Sequence, residues 1–401
     1  MNKPMNKIEK LIDELCPDGV EFRKFGEVGK VSMCKRIFKN QTSSMGQIPF
    51  YKIGTFGKQP DAFISAEIFN DYRNRFSFPK KGDVLLSASG TIGRRVVYDG
   101  EPAYFQDSNI IWLEHDESVV LNKFLYHIYE IVEWQTEGGT IQRLYNDNFK
   151  KIKIPIPPLP IQQEIVKILD TFTTLEAELE AELEARKKQY AYYRDELLSF
   201  GDDVECKTLG EVGTLIRGNG LQKKDFIEEG IGCIHYGQIY TFYSTFADKT
   251  ISFVSPELAS KLKKAQKGDV LISGVSENIE DVCKPLAWLG DEICISGDMF
   301  AFRHNQNTKF IAYLLQTTDF QKYKERYAQG AKVTRVKADR ILGHKIPIPP
   351  LSEQERIVTI LDKFDALVND ISVGLPAELN ARRKQYEYYR DKLLSFKAVN
   401  C

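Results

Sequence analysis

The stretch from Ser87 to Arg95 has the side chains best suited to binding chemistry. It reads Ser-Ala-Ser-Gly-Thr-Ile-Gly-Arg-Arg, and its candidate contact residues are Ser89, Thr91, Arg94 and Arg95. A glycine-containing turn with hydroxyl and guanidinium groups can approach a DNA backbone or a base edge. A tight turn between two strands explains the same residues equally well. The matching stretch from Ser273 has Ser276 and Asn278 but no arginine as far as Asn278, which would suit a different target sequence.

Basic and amide residues form further candidate DNA contacts. Arginine pairs with guanine, and asparagine or glutamine with adenine, in the major groove. These candidates are Lys35, Arg36, Arg73, Arg75, Arg217, Asn219, Lys223 and Lys224. Gln142 and Arg143 in the first half, and Thr334 and Arg335 in the second, precede a proline-rich segment at matching places. A cluster of charges is more often a solvated face, and the last two pairs would serve equally well as structural hinges.

Catalytic motifs are not found in the sequence. Gly54 to Lys58 is too short for a phosphate-binding loop, and Cys233 with His235 has no second pair to complete a metal site. The five histidines show no serine or cysteine partner at a recognisable spacing. The sequence therefore predicts a chain without its own catalytic or metal centre.

The chain is an internal duplication. Ile154 to Leu159 reads IPIPPL and recurs at Ile346 to Leu351, 192 residues later. The intervening halves share short anchors, such as Lys-Gly-Asp-Val-Leu at Lys81 and at Lys267, and differ freely between them. Short strand signals separated by Gly and Asp predict an α+β domain in each half. Shared scaffolding with divergent loops is typical of two recognition modules with different targets.

Each IPIPPL segment, called here the proline strap, is followed by a helical segment. Its apolar and aromatic residues recur at a heptad-like spacing and form a seam along one face of the helix. The seam residues are Phe172, Leu175, Leu179, Leu183, Tyr190 and Tyr193 in the first copy, and Phe364, Leu367, Leu379, Tyr386 and Tyr389 in the second. The pattern predicts two long helices in an antiparallel coiled coil; ordinary helices packed on separate domains are the alternative. The second helix is predicted to be four residues longer and to start with a capping box at Ser352. The tyrosines of both helices could also stack on single-stranded nucleic acid, although their spacing favours packing against the partner helix or another subunit.

The predicted domain limits follow the repeats: a globular domain at 1–150, a strap with a long helix at 151–200, a globular domain at 201–343 and a second strap with a long helix at 344–401. Residues Glu14 to Glu21 resemble those that join the first helix to the second domain. We therefore expect a pseudo-twofold, circular arrangement with neighbouring termini.

Composition restricts the function further. The 401 residues have a net charge of -1, and residues 20–158 hold 19 Lys and Arg against 16 Asp and Glu, so a basic surface must be local. The seven cysteines form no C-x-x-C pair and are expected to be reduced. Without a long apolar run or a leader, the chain is expected to be cytoplasmic and to have no membrane partner.

The paired straps, the segments Gln162 to Asp170 and Gln354 to Asp362, and the two similar helix ends resemble the specificity subunit of type I restriction-modification enzymes. The resemblance implies two target recognition domains that each read half of a bipartite site in double-stranded DNA, with helices that set the spacer and dock two methyltransferase subunits. It also implies two restriction motor-nuclease subunits. No cofactor is expected in this chain, whereas S-adenosylmethionine, ATP and Mg would serve the partners.

Two alternatives from other classes are a coiled-coil scaffold that binds proteins and a self-sufficient methyltransferase or nuclease. The missing motifs argue against the second.

Overall fold

The computed structural model describes residues 7–330, 332–370 and 372–399. It divides into two compact units, one formed by Met1–Ala177 with Arg382–Cys401 and the other by Glu178–Ala381. The predicted domain limits follow chain order, whereas these units divide both helical repeats. Each unit therefore contains the start of one helical repeat and the end of the other.

The first unit contains short elements, the first half of a long helix and, from Arg382 onwards, the end of a later helix. Its elements are α1 (Lys7–Leu15), β1 (Phe22–Lys24), α2 (Phe25–Val28), β2 (Gly29–Ser32), a 3₁₀ turn (Lys39–Gln41), β3 (Ile48–Tyr51), β4 (Phe63–Ile64), α3 (Ala66–Arg75), β5 (Val84–Ser87), β6 (Arg95–Val97), β7 (Tyr104–Phe105), β8 (Ile110–His115), α4 (Asn122–Ile131), α5 (Asn146–Lys151), β9 (Lys153–Pro155) and the first half of α6 (Leu159–Leu197).

The second unit repeats this order with additional elements. They are β10 (Cys206–Thr208), α7 (Leu209–Val212), β11 (Gly213–Arg217), a 3₁₀ turn (Lys223–Asp225), β12 (Ile231–Ile234), α8 (Tyr236–Thr241), β13 (Phe246–Ala247), β14 (Ser252–Val254), α9 (Pro256–Ala259), β15 (Lys264–Ala265), β16 (Val270–Ser273), β17 (Val275–Ser276), β18 (Pro285–Trp288), β19 (Ile293–Ile295), β20 (Met299–His304), α10 (Thr308–Leu314), α11 (Thr318–Glu325), β21 (Thr334–Arg335), α12 (Ala338–Leu342), β22 (Lys345–Pro347), α13 (Leu351–Asn369) and the start of α14 (Leu375–Leu393).

Both units are built on a central sheet that is buried on both faces. The strand order is β2-β8-β5-β6 in the first unit and β11-β20-β16-β18-β13 in the second. Successive side chains of a strand point to opposite faces. Val84 and Leu86 of β5 accordingly belong to the core shared with the helices, whereas Leu85 belongs to the core shared with the sheet β4-β3-β7. Each unit is thus an α+β domain, as the duplication predicted.

A buried glutamine fastens each proline strap and helix start to its unit. Gln162 accepts a hydrogen bond from the Leu121 amide and donates to the carbonyl oxygens of Val119 and Pro157. Gln354 is also fully buried, accepts from the Asn307 amide and donates to the Pro349 carbonyl. Buried polar groups are costly unless they are paired, so these contacts fix how the helix leaves the domain.

Each unit pairs a helix start with a helix end through the same aromatic residues. In the first unit, the ring of Phe172 lies 5.5 Å from that of Tyr389, and Glu176 pairs with Arg383. The partner positions on α14 fall as those on α6 rise, so these segments are antiparallel. In the second unit, the ring of Phe364 lies 5.5 Å from that of Tyr193.

Several seam predictions need correction. Leu183, Tyr190, Leu379 and Tyr386 are buried, and Leu175 and Leu179 are half-buried. Tyr193, Tyr389 and Leu367 are 40%, 37% and 37% exposed, and Val368 is buried next to Leu367. The capping box is absent because α13 begins at Leu351 without a side-chain cap at Pro350.

The second helix, predicted to be four residues longer than the first and weakened at residues 373–376, is divided into two helices. Its two parts, α13 and α14, each contain 19 residues and are separated at 370–374, where residue 371 lies outside the described part. A Cβ at Gly374 would lie 2.3 Å from the Ala366 carbonyl oxygen, so the chain turns closely past the helix end. Pro376 is tolerated because it lies in the first turn of α14. The four additional residues therefore form a break and do not lengthen the helix.

The segment after α14 closes the first unit. The Val20 amide donates to the Lys397 carbonyl, and the Val399 amide donates to the Val20 carbonyl. In the second unit the corresponding connection from α6 to β10 is continuous chain. Residues 1–6, 400 and 401 lie outside the described part of the chain, so the predicted proximity of the two termini stays a prediction.

Candidate nucleic-acid interface

Three separate parts of the first unit meet at the turn between β7 and β8. Arg36 Nε donates to Asp107 at 2.8 Å, and Ser89 Oγ donates to Asn109 Oδ1 at 2.7 Å. Ser89 also forms an isolated backbone bridge with Arg143. Arg36 and Arg143 are exposed, whereas Ser89 is buried. The fold thus gathers candidates that are more than 100 residues apart in sequence.

The second unit has the same convergence at the turn between β19 and β20. Arg217 Nε donates to the Gly297 carbonyl at 3.1 Å, and Arg335 lies 3.9 Å from Asp298. Ser276 pairs with Thr334 in the two-stranded sheet of β17 and β21, and the side chains of both are largely buried. In both units, the turn carbonyl that anchors the neighbouring loop is equivalent: Asn109 accepts from Ala88, and Asp298 accepts from Gly274.

The stretch before each strap is a closed loop. Glu137 and Arg143 exchange two backbone hydrogen bonds, as do Gln329 and Arg335. The loop needs glycine at its start because φ is +128° at Gly138 and +118° at Gly330. The apolar tips are exposed, 63% at Ile141 and 42% at Val333. Gln142 donates its amide back to the Gly138 carbonyl and so fastens the loop; Ala331 of the second loop lies outside the described residues.

A cation-rich patch surrounds aromatic rings in the first unit. The amino group of Lys35 and the guanidinium of Arg75 lie 5.2 and 5.4 Å from the centre of the Phe76 ring. Arg73 lies 5.5 Å from the Phe78 ring, and Arg75 also pairs with Asp71. The rings hold the stems of these side chains while their charges stay exposed. This surface can therefore attract phosphate groups.

Other candidates are committed to contacts within the protein. Arg94 donates to the Phe56 carbonyl at 2.9 Å, and the Arg95 guanidinium lies 4.5 Å from the Tyr126 ring centre and 3.4 Å from Glu130. Asn219 bonds to the backbone of Lys261 and Lys263. A last set is exposed: Thr91, Asn278, Lys223 and Lys224, with Asn278 donating to Asp281.

The structure also reveals correspondences that the sequence comparison missed. Ser87 bonds to the Arg94 carbonyl, and Ser273 bonds to the Lys284 carbonyl, so Lys284 occupies the place of Arg94. Gly93 and Cys283 precede them with positive φ angles of +85° and +63°. The second loop is therefore four residues longer, with ten residues between the paired positions where the first has six. The sequence did carry a signal for this longer loop, because the shared segments that flank it are spaced further apart in the second half than in the first.

Titratable groups line the packing of the helices against each unit. In the first unit, buried His127 lies between Asp170, at 3.1 Å, and the Tyr386 hydroxyl, at 3.3 Å. Burial lowers the pKa of His127, and the hydrogen bond that the His127 ring donates to Asp170 opposes this only in part. At the corresponding place in the second unit, the Tyr313 hydroxyl donates to Asp362 at 2.7 Å. Burial raises the pKa of the nearby Asp365, although Asn369, Thr245 and Tyr190 donate hydrogen bonds to it.

The described residues hold no group of three or more His, Cys, Asp or Glu side chains that is arranged to bind a metal ion. Six cysteines are free thiols, and Cys401 is outside the described part. None of the described helices is long and apolar enough to cross a membrane.

Comparison with known proteins gives a consistent family. The family model described as "Type I restriction modification DNA specificity domain" matches residues 17–185 and 201–381. A type I restriction enzyme specificity subunit of Haemophilus influenzae is 62% identical over 182 residues, which cover 44% of this chain and 47% of the relative. The EcoR124I/EcoR124II specificity subunit of Escherichia coli is 38% identical over 295 residues, covering 70% and 72%.

Solved structures share the fold at low sequence identity. An S subunit of a type I restriction-modification system from M. genitalium has a TM-score of 0.54 and 16% identity, with 98% of each chain covered. A chain from a study of complex assembly and conformational transition of the type I R-M system has a TM-score of 0.59 and 17% identity, covering 94% of this chain and 97% of that one. With both repeats matched by the family model, this chain belongs to the type I restriction-modification specificity subunits.

Proposed function

We propose that each unit of this chain reads one half of a bipartite site in double-stranded DNA. The observation that supports this most directly is the repeated convergence of exposed loops at the turns 107–109 and 296–298. The backbone contacts that hold these loops are the same in both units, and we call them the frame of the surface. The side chains that the loops expose differ between the units. Equal frames with different surfaces suit a target whose two halves have different sequences.

The near-zero net charge is consistent with shared DNA contacts. Phosphate contacts dominate the affinity of most DNA-binding proteins, and this chain has a net charge of -1 with a local cationic patch around Phe76 and Phe78. We therefore expect partner subunits to supply many of the phosphate contacts, while this chain supplies base selection. The chain itself performs no catalysis in this proposal; S-adenosylmethionine, ATP and Mg act in the partners.

The helices are proposed to dock two methyltransferase subunits. Tyr192 and Tyr388 occupy equivalent positions on the helix ends and are 63% and 62% exposed. Each lies against a neighbouring tyrosine that stacks on the phenylalanine of the opposite helix. Exposed aromatic residues are common in protein interfaces, and a duplicated patch fits two identical partners. Two restriction motor-nuclease subunits would then complete the enzyme.

The helix length is proposed to set the spacer between the half-sites. α6 contributes residues to both units, and it contains the repeated tetrad Leu-Glu-Ala-Glu at Leu175 and Leu179. One tetrad corresponds to about 6 Å of helix. A change in tetrad number would therefore alter the spacer by about one to two base pairs, at about 3.4 Å each.

The proposal is tested by co-expressing the chain with its cognate methyltransferase subunit in a host without other DNA methylation. Modified adenines are then mapped by single-molecule sequencing. We expect one bipartite motif with a fixed gap. An active complex that methylates without any motif would contradict the reading function and would favour a protein-binding scaffold.

A further inference from the structure

The loop at 274–283 distinguishes the second unit from the first. It has ten residues where the first unit has the six residues 88–93. It lies beside the closed loop that precedes the second strap, because Ser276 pairs with Thr334. Residues 277–280 are exposed, with Ile279 at 42%. The longer loop therefore extends the candidate surface of the second unit alone.

Two dedicated side chains hold this loop. Lys324 on α11 is 1% exposed and donates from Nζ to the carbonyl oxygens of Glu280, at 2.5 Å, and Val282, at 2.6 Å. Tyr240 on α8 donates to the Val275 carbonyl at 2.6 Å. In the described part of the first unit, no helix occupies the places of α8 and α11. The loop and its supports thus occur together.

The burial of Lys324 is energetically costly. Burial lowers the pKa of Lys324, and the nearby carboxylates of Asp281, Glu325 and Glu280 oppose this only in part. A lysine in such a place is expected only where its hydrogen bonds are needed. Its bonds go to loop backbone, so the shape of the loop is what it maintains.

The chemistry of the loop is that of a hydrogen-bond acceptor. Residues 274–283 contain Glu277, Glu280 and Asp281 but no lysine or arginine. Such a loop is repelled by phosphate and cannot contribute general affinity for DNA. Asn278 and Asp281 bond to each other, whereas Glu277 and Glu280 are exposed. Glu277 directly follows Ser276, which pairs with Thr334 of the closed loop, so Glu277 is the carboxylate next to the candidate surface. A carboxylate in the major groove accepts a hydrogen bond from a base amino group, as cytosine N4 offers.

We propose that the loop 274–283 reads a base amino group in the half-site of the second unit, with Glu277 as the acceptor and Lys324 as the positioning residue. This inference rests on the proposed reading function. It predicts that base specificity at one or more positions of one half-motif depends on this loop. Base specificity in the other half-motif is predicted to be independent of the loop.

The direct test is the methylation motif of the Glu277→Ala variant in the co-expressed complex. The residue is exposed, so folding should not change. We expect discrimination at one base position of one half-motif to fall by roughly tenfold, while the other half and the spacer are retained. The control is Glu257→Ala, which removes an exposed carboxylate from the same unit outside the loop. An unchanged motif in Glu277→Ala would overturn the proposal.

The positioning role is tested with Lys324→Met, which keeps the length of the stem but removes the donors. The control is Lys322→Met on the exposed face of the same helix. We expect relaxed specificity in the same half-motif as for Glu277→Ala. A wild-type motif would overturn the role of Lys324. If the variant does not assemble, the need for a supported loop is tested with Tyr240→Phe, which removes only the hydroxyl that donates to the Val275 carbonyl. Relaxed specificity in the same half-motif is again expected, and a wild-type motif would overturn the claim that these supports position the loop. A wild-type chain without any bipartite motif would instead defeat the proposed function.

Discussion

The two units attach their helices through the same contacts, called here the joint, but carry different loops on the candidate DNA-binding surface. A buried glutamine fastens each helix start, and a phenylalanine of that helix stacks on a tyrosine from the end of the other. The loops around the turns 107–109 and 296–298 differ in length, charge and supports. Buried polar and aromatic contacts thus give both units the same geometry, whereas the solvent-facing side chains, which we propose to read DNA, differ between them.

The units also differ in how the joint is closed. In the second unit α6 continues directly into β10, whereas the first unit is closed by hydrogen bonds between the Val20 region and the segment after α14. A covalent connection in one copy is thus replaced by backbone pairing in the other. Contacts that compensate for the missing chain connection should therefore matter more in the first unit.

The largest expected effect comes from removing the joint glutamines. Gln162→Ala leaves three backbone groups without their partner and should destabilise the first unit by about 3 kcal/mol. Gln354→Ala leaves two backbone groups, with a smaller expected loss in the second unit. Denaturant unfolding with hydrogen exchange of peptides from each unit measures both. Gln163→Ala is the exposed control, and an equal loss in this control would contradict the role of the joint.

A smaller effect is expected at the closure of the first unit. Gly19 has φ of +115°, and a Cβ there would lie 2.7 Å from the Lys397 carbonyl oxygen. Gly19→Ala should therefore cost about 2 kcal/mol through backbone strain and lost pairing. Gly201→Ala, in the continuous connection of the second unit, is the matched control because only a flexible Asp203 side chain lies near it. Thermal unfolding that ranks the two variants in the opposite order would refute the comparison.

The smallest effect is a difference in pH dependence. The pKa of His127 is lowered by burial from the ordinary value of 6.5, so the unfolded chain binds this proton more readily than the folded one. The first unit should thus lose stability as the pH falls below 6.5 through the folded pKa. Hydrogen bonds from Lys123 and His127 outweigh the burial of Asp170, lower its pKa and keep it ionised across that range.

The groups that face His127 come from three helices: Asp170, Glu130 and Tyr386, with Arg95 and Arg390 around Glu130. His127→Gln should weaken the acid dependence, which is measured as the free energy of unfolding at pH 7.5 and about 5.5. Tyr313 occupies the equivalent place, so Tyr313→Phe should leave the acid dependence as it is. The same slope in wild type and His127→Gln would show that other groups control it.

Much of this architecture could be predicted from the sequence, since duplication, proline straps and seam aromatics are local patterns. The prediction of an α+β domain in each half is confirmed, as is the pairing of helix starts with helix ends. The break at 370–374 was underestimated because the seam continues on both sides of Gly374. Leu367 was chosen over Val368 for the same reason.

The site could be predicted only in part. Arg36, Ser89 and Arg143 were found as isolated candidates, but their convergence depends on long-range strand pairing that no local pattern encodes. Lys324 and Tyr240 were missed because they act on loop backbone far away in sequence. The base contacts of the candidate residues stay predictions.

The central claim is that reading belongs to the units and spacing to the helix. Its most direct test is the methylation motif of a variant that lacks residues 179–182, expressed with the same methyltransferase subunit as the wild type. We expect both half-motifs to be retained and the spacer between them to shorten by about one to two base pairs. An unchanged spacer, or an altered half-motif at the original spacing, would contradict the account.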